Sequence, residues 1–410
     1  MPAQEQAERI PALDLIRGIA VLGILAVNIA SFAMPDSATV SPNLPRSASQ
    51  ADQWAFAATL VLFEGKMRAL FTLLFGASML LFIERAEQRG ANGTRLQLRR
   101  LGWLALFGYL HFALLWDGDI LFLYALVGFG ALAMRQAASL PAVLAGLLLF
   151  AGWQGVGLAM WYPSVSTELA VVQGTATPAQ IASHDRALAQ ARSEDGKDLA
   201  RAQLGYREEV SARLTEEPWF PLVSLIFNWA EIFTFMLIGM ALFRSGFFEG
   251  AWPRQRLIQL AVGGLGLGGT ITIAFVCWAA GLGYPEMLMH LAIGSALGFA
   301  HLAMALGYAA LLMLIASRFA PGWFGQRLEA AGRMAFSNYI ATSLVMGAIF
   351  SGWGLGWFGQ FGPSARLPFV LLGWTLMLAW SKPWLAHFRH GPLEWLWRSL
   401  TVGRFVPMRQ

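Results

Sequence analysis

Ten predominantly apolar stretches of about 20 residues recur along this chain, near 12–34, 67–84, 97–116, 119–135, 140–161, 219–243, 257–281, 290–316, 333–352 and 366–386. In lipid a segment of that length must pair its own backbone groups, so each is expected to be a helix. The expected fold class is therefore all-α: a polytopic membrane helix bundle in one transmembrane domain, 1–410. Composition agrees, with 57% hydrophobic and only 13% charged residues, where a soluble chain carries roughly 25% charged. Seventeen Trp and 29 Phe add the aromatic excess of lipid-facing and interfacial positions.

The net charge of +5 fits basic cytoplasmic loops, so nucleic acid is not an expected partner. The single Cys277 excludes an internal disulfide and a cysteine-based metal cage, and no metal is expected. Ser31-Phe32-Ala33 imitates a signal-peptidase site, but the leading "MPAQEQAERIPALDLIR" is mixed in charge rather than basic. The first span is read as retained.

Loop basicity orients the bundle. Arg85, Arg89, Arg95, Arg99 and Arg100 share one loop; Arg244, Arg254 and Arg256 share another; Lys382, Arg389, Arg398, Arg404 and Arg409 crowd the tail. They fall on one side together only if the short segment "WAFAATLVLF" (54–63) does not cross by itself. About ten crossings are expected, with both termini on the cytoplasmic side; 54–63 becomes a re-entrant or broken half-helix. Residues 163–218 then form a periplasmic extramembrane loop, against the basicity of Arg201, Arg207 and Arg213. Thr177-Pro178-Ala179-Gln180 has a cap, a first-turn Pro and a Gln at the third position, so this loop is expected to be helical.

A charge at mid-bilayer costs at least ~2.5–3.5 kcal/mol, which makes each one a candidate for function. Asp14 and Arg17 share a face of the first span, and Asn28, eleven residues beyond Arg17, lies about 20° from it around the helix. An interfacial ion pair with a snorkelling arginine explains the first two equally well. In "LFEGKMRALFTLLFG", Glu64, Lys66 and Arg68 interrupt apolar sequence where the topology requires a break. Glu64 suits a base, and Lys66 and Arg68 suit an anionic group; a charged interfacial turn is the plainer reading. In "GYLHFALLWDGDILFLYALVG", His111 precedes Trp116, Asp117 and Asp119. Histidine titrates near neutrality and a carboxylate can orient it, so His111, Asp117 and Asp119 form the best acid–base cluster. Glu231 sits alone in its span and needs either a proton or a partner, Arg17 or Arg68. His290 and His301, eleven apart on one helix face, are about 16 Å apart along the axis and cannot share a metal. His290 is assigned to the outer vestibule and His301 to structure. Gly264 and Gly268 in "AVGGLGLGGT" follow no strand, so helix packing is expected rather than nucleotide binding.

The ordered motifs "LDLIRGIAVLGILAVNI", "FEGKMRALFTLLFGASML", "RRLGWLALFGYLHFALLWDGDILFLYALVG", "GRMAFSNYIATSL" and "GPLEWLWRSLTVGR" resemble the YeiB family of bacterial inner-membrane proteins, over nearly the whole chain. That family in turn looks similar to transmembrane acyltransferases, including the lysosomal heparan-glucosaminide acetyltransferase, most of all in the first span. The resemblance implies that acyl-CoA, as co-substrate, enters from the cytoplasm and passes its acyl group to an acceptor on the periplasmic side. In the lysosomal relative the reactive histidine follows soon after the first span, whereas residues 1–110 here hold none. His111 or Glu64 then supplies the base, or the activity is not shared. Tyr124 and Asn338, within the shared motifs, join Asp14, Arg17, Asn28, Lys66, Arg68, Trp116, Asp117, Glu231 and His290 as expected substrate- or donor-binding residues. The expected partners are the bilayer and a small-molecule, sugar or lipid acceptor, with a homodimer left open. The competing reading is a proton-coupled transporter of a small anionic or amphipathic molecule. No internal repeat is visible, which weighs against it.

Overall fold

In the computed structural model, which describes residues 10–137 and 140–409, the only β-type pairing among the described residues is an isolated bridge between Phe388 and Arg409. The helices are α1 (Pro11–Ala33), α2 (Ser37–Val40), α3 (Gln50–Leu62), α4 (Lys66–Gln88), α5 (Gly93–Leu114), α6 (Leu121–Ala133), α7 (Leu140–Val172), α8 (Pro178–Arg201), α9 (Tyr206–Glu216), α10 (Phe220–Arg244), α11 (Arg254–Gly281), α12 (Glu286–Leu291), α13 (Gly298–Phe319), α14 (Trp323–Arg333), α15 (Ala335–Phe350), α16 (Leu367–His387) and α17 (Pro392–Val402). Among the described residues six segments are long and apolar enough to cross a membrane: α1, α3 with α4, α7, α10, α11 and α13; α6 and α15 are shorter apolar helices. The all-α bundle read from the apolar runs is the fold observed.

The end of the bundle where α1 begins is called proximal here, and the end where it finishes distal. Lipid offers no hydrophobic drive between helices, so close backbone approach must carry their association. At the proximal end α1 packs on α14 so tightly that a Cβ on Gly332 would lie 1.8 Å from the Asp14 carbonyl oxygen. Gly264 and Gly268 likewise meet the backbone of α13 at the carbonyls of Ala303 and Ala300, the packing role expected of them.

The break expected near residue 63 lies at mid-depth. Asp52, in the first turn of α3, accepts from Ser364 N at 2.9 Å and Ser364 Oγ at 2.6 Å in the distal α15–α16 loop. Ten residues beyond Asp52, α3 stops beside Tyr308, whose hydroxyl donates to Leu62 O at 3.2 Å. Gly65 turns the chain with φ +71°, a conformation that favours glycine, and packs against the His301 ring. From there α4 passes Gly23, half-way along α1, at Met67 and reaches Arg17 at Ser78. α3 and α4 thus follow one another through a break, and together they make one of the six apolar segments.

Two further departures have local causes. The span beginning at 140 runs through Pro163 to Val172, 33 residues or roughly 50 Å, so it projects beyond a hydrocarbon core and supplies the first part of the expected extramembrane segment. His290 and His301 do not share one regular helix. A π-helical turn, Ala292–Ala296, separates α12 from α13 and resets the helical register between them.

The segment that follows α7 is helical as expected, and α8 opens with the capping box at Thr177 and Gln180. It folds back over the distal end: Ser37 Oγ donates to Asp195 at 2.7 Å, and Asp36 N to Asp198 at 3.3 Å. From α9, Arg213 donates to the carbonyls of Phe112 (3.1 Å) and Ala113 (3.3 Å), closing the C-terminus of α5.

Candidate functional site

The polar residues of α5 and its following turn converge at the distal end. His111 lies one turn before the end of α5, and the chain reverses through Trp116–Ile120 into α6. This reversal brings Asp119 back beneath the imidazole. Asp119 Oδ2 accepts from Phe122 N at 2.8 Å, capping α6, and its Oδ1 lies 2.8 Å from His111 Nδ1. The other ring nitrogen, Nε2, lies 2.9 Å from Ser343 Oγ on α15. His111, Asp119 and Ser343 are all buried, at 2%, 7% and 1% exposure. An ionised carboxylate only accepts, so Nδ1 carries the proton and Nε2 is left to accept from the serine hydroxyl.

The surroundings hold this array in place. Tyr339 lies tilted beside His111 with ring centroids 5.1 Å apart, and Trp116 stands edge-on at 6.2 Å. Trp116 in turn stacks on Phe32 of α1 at 4.1 Å. At the start of α15, Glu394 accepts from Phe336 N at 2.8 Å, Ser337 N at 3.0 Å and Ser337 Oγ at 2.5 Å. A carboxylate at a helix N-terminus satisfies the orphan donors and favours the helix dipole, which fixes the direction in which Ser343 is delivered.

A cavity of about 160 Å³ runs from the proximal end toward this array, lined among others by Arg17, Arg100, Arg333, Tyr124, Phe336 and Tyr339. Arg17 is held by Asp14 at 2.8 Å and donates to Ser78 Oγ at 2.8 Å. Arg100 is sandwiched between Phe82 and Trp397, 4.7 and 4.2 Å from their ring centroids, and donates to no acceptor among the described residues. The lining carries three arginines against one carboxylate, Glu394, which accepts from the α15 N-terminus. Val21, Ile24 and Tyr339 also line a second, smaller cavity of about 10 Å³ that holds Asn28 and Ser343. Along α1, Arg17 thus faces the first cavity and Asn28 the second, while Asp14 lines neither.

The other candidates are distributed elsewhere. Asp117 is exposed and does not face His111; only Asp119 orients the imidazole. Glu64 lines a separate cavity of about 90 Å³ together with Arg366 and Trp374, away from the His111 array. Lys66 is fully buried with Nζ 2.6 Å from Leu60 O, so it closes the C-terminus of α3 rather than facing a ligand. Arg68 pairs with Glu231 at 3.0 Å, resolving the choice that Glu231 left open. Tyr124 lines the main cavity with its hydroxyl 2.8 Å from Thr72 Oγ1. Asn338 is wholly buried, donating to Ala331 O and Ser381 Oγ and accepting from Trp380, a helix-to-helix clamp with no open valence toward a cavity. His290 stacks on Trp161 at 5.4 Å and lies 4.0 Å from Glu286 at the distal end. Ser343, Arg100 and Arg366 were not singled out from the sequence. Ser343 lies inside "GRMAFSNYIATSL", where a run of small hydroxyls and an amide in an otherwise apolar helix is the signal that points to it.

Fold and site define a polytopic α-helical membrane protein with a buried Ser–His–Asp array next to an arginine-lined cavity. Residues 242–404 match the family described as a protein of unknown function, DUF418. The chain is 31% identical to the uncharacterized protein YxaH of Bacillus subtilis (strain 168), over 98% of this chain and 96% of that one. It is 29% identical to the uncharacterized protein YeiB of Escherichia coli (strain K12), over 98% of both. The chain belongs to this YeiB-like family. No solved structure matches it.

Proposed function

We propose that this protein is a membrane acyltransferase that takes an acyl group from acyl-CoA at the proximal end and delivers it to an acceptor reached from the distal end. The observation that carries this reading is a single line of residues. Arg17, Arg100 and Arg333 surround a cavity whose far wall, Tyr339, packs on His111, and His111 is oriented by Asp119. Guanidinium groups suit phosphate oxygens, which favours a phosphate-bearing donor at the proximal mouth. The aromatic walls beyond them suit a pantetheine arm, and His111 is the base that receives a proton as the acyl group moves. Holding donor and acceptor in one passage supplies part of the rate through proximity. In this reading the proximal end, where α1 begins, faces the bacterial cytoplasm and the lid of α8 and α9 faces the periplasm.

The test is thermal unfolding of detergent-purified protein with acetyl-CoA, CoA or ATP, on wild type and on Arg17→Ala and Arg100→Ala. A ligand that binds only the folded state raises the midpoint by mass action. A shift specific to CoA compounds and lost in the arginine variants is expected. Folded protein that shows no shift at millimolar CoA refutes the donor and favours transport of an anionic molecule through the same cavity.

A further inference from the structure

We infer that Ser343 is a nucleophile that carries the acyl group covalently, so that transfer proceeds through an acyl-serine rather than directly from donor to acceptor; this rests on the acyl-transfer reading above. Four observations meet at one place. Ser343 Oγ lies 2.9 Å from His111 Nε2 and His111 Nδ1 lies 2.8 Å from Asp119, the order of contacts that activates a hydroxyl. The alternative acceptor for the serine proton, Tyr339 O, is farther, at 3.3 Å. Asn28 shares the lining of the small cavity beside Ser343, and its side-chain amide is bonded to no protein group among the described residues. That amide is available to donate to the oxyanion of a tetrahedral intermediate. Finally, Val21, Ile24 and Tyr339 line both this cavity and the arginine-lined one, so the two adjoin across a shared wall.

The chemistry balances without a further reactant. Ser343 Oγ attacks the thioester carbonyl carbon, and its proton passes to His111 Nε2. Collapse of the intermediate breaks the carbon–sulfur bond, and the leaving thiolate takes that proton. An acceptor hydroxyl or amine then attacks the acyl-Ser343 ester, giving its proton to Nε2. The same proton returns to Ser343 Oγ as the ester bond breaks.

The experiment uses full-length protein in nanodiscs and two probes that need no acceptor. A fluorophosphonate reports an activated serine whatever the natural donor, and mass spectrometry locates the label. Acetyl-CoA with labelled CoA reports acyl-enzyme formation through isotope exchange and through an acetylated Ser343 peptide. Expected are a fluorophosphonate label and an acetyl ester on Ser343, both absent in Ser343→Ala and reduced about 100-fold or more in His111→Ala. Ser343→Cys guards against a variant that fails for structural reasons, because it is expected to hold the acetyl group as a thioester that neutral hydroxylamine cleaves. Labelling of Ser343 by fluorophosphonate without CoA exchange keeps the nucleophile and refutes acyl-CoA as donor. CoA-dependent transfer that persists in Ser343→Ala, with no acyl-Ser343 in wild type, keeps the donor and overturns this inference. Folded wild-type protein that takes neither label overturns it as well.

Discussion

His111 Nε2 and Ser343 Oγ lie 2.9 Å apart across 232 residues of chain, the two helices that carry them being pinned by different devices. Arg213 closes the end of α5 from the distal lid, and Glu394 closes the start of α15 from the proximal side. A small buried polar network held from both ends is costly to leave half satisfied, so each member has a distinct expected consequence on removal.

Asp119→Asn is expected to lower acyl-enzyme formation about 10²–10⁴-fold while leaving the fold intact. The asparagine oxygen keeps the bond from Phe122 N, which is 2.8 Å long in the parent. Its amide presents a donor to His111 Nδ1 and forces the proton to Nε2, where the serine needs an acceptor. Rates of CoA exchange, alongside an unchanged unfolding midpoint and unchanged CoA affinity, check this.

Arg68 and Glu231 tie α4 to α10 at 3.0 Å, with the Glu231 side chain only 14% exposed. Removing Arg68 alone leaves a carboxylate in the membrane without its partner, which costs more than removing both. A cycle of Arg68→Met, Glu231→Leu and the double variant is expected to give a coupling of about 0.5–3 kcal/mol, with the double variant more stable than Arg68→Met. Denaturant unfolding in a defined detergent measures it.

Gly65→Ala is expected to destabilise by about 1–3 kcal/mol, because a Cβ resists the positive φ. In addition that Cβ would lie 2.1 Å from His301 Nδ1. Adding His301→Ala to the same chain relieves the clash but not the dihedral strain. Partial recovery of the midpoint is therefore expected, and complete recovery would show that φ carries no cost here.

The distal lid is expected to dock more firmly at low pH. Burial, with the charges of Asp195, Glu168 and Asp36, pushes the Glu286 carboxyl up from 4.5 to about 7. Burial also raises Asp198, and it lowers His290, which lies 4.0 Å from Glu286. Between about 4.5 and 7 the folded form retains a proton that the unfolded form has lost. The stability Glu286 contributes is thus fully present below about 4.5 and is lost as pH rises through about 7. Hydrogen exchange in α8 and α12, corrected for intrinsic rates, is expected to be slower at pH 5 than at pH 8, and Glu286→Gln flattens that difference.

What the sequence by itself determined is what lies within one helix or one turn. Most of the apolar runs coincide with helices to within a few residues, because lipid leaves the backbone no other way to pair its groups; the runs at 140 and 290 do not, one helix running on to Val172 and the other broken by a π-turn. The Asp14–Arg17 pair, the Thr177 cap and the pairing of His111 with Asp119 are all short-range, and the helix repeat or a single reversal decides them. The break after residue 63 was likewise legible in three charges that no continuous lipid-facing helix tolerates.

The tertiary structure alone decided which helix faces which. It brought Ser343 to His111 and paired Glu231 with Arg68 rather than Arg17. It sent Glu64 into a cavity of its own, turned Asp117 outward and made Asn338 a clamp. A helix in lipid has no strong apolar gradient to set its rotation, so backbone contacts such as Gly332 on Asp14 and polar bonds between distant segments set it instead. Those contacts join residues hundreds of positions apart, and no periodicity along the chain encodes them.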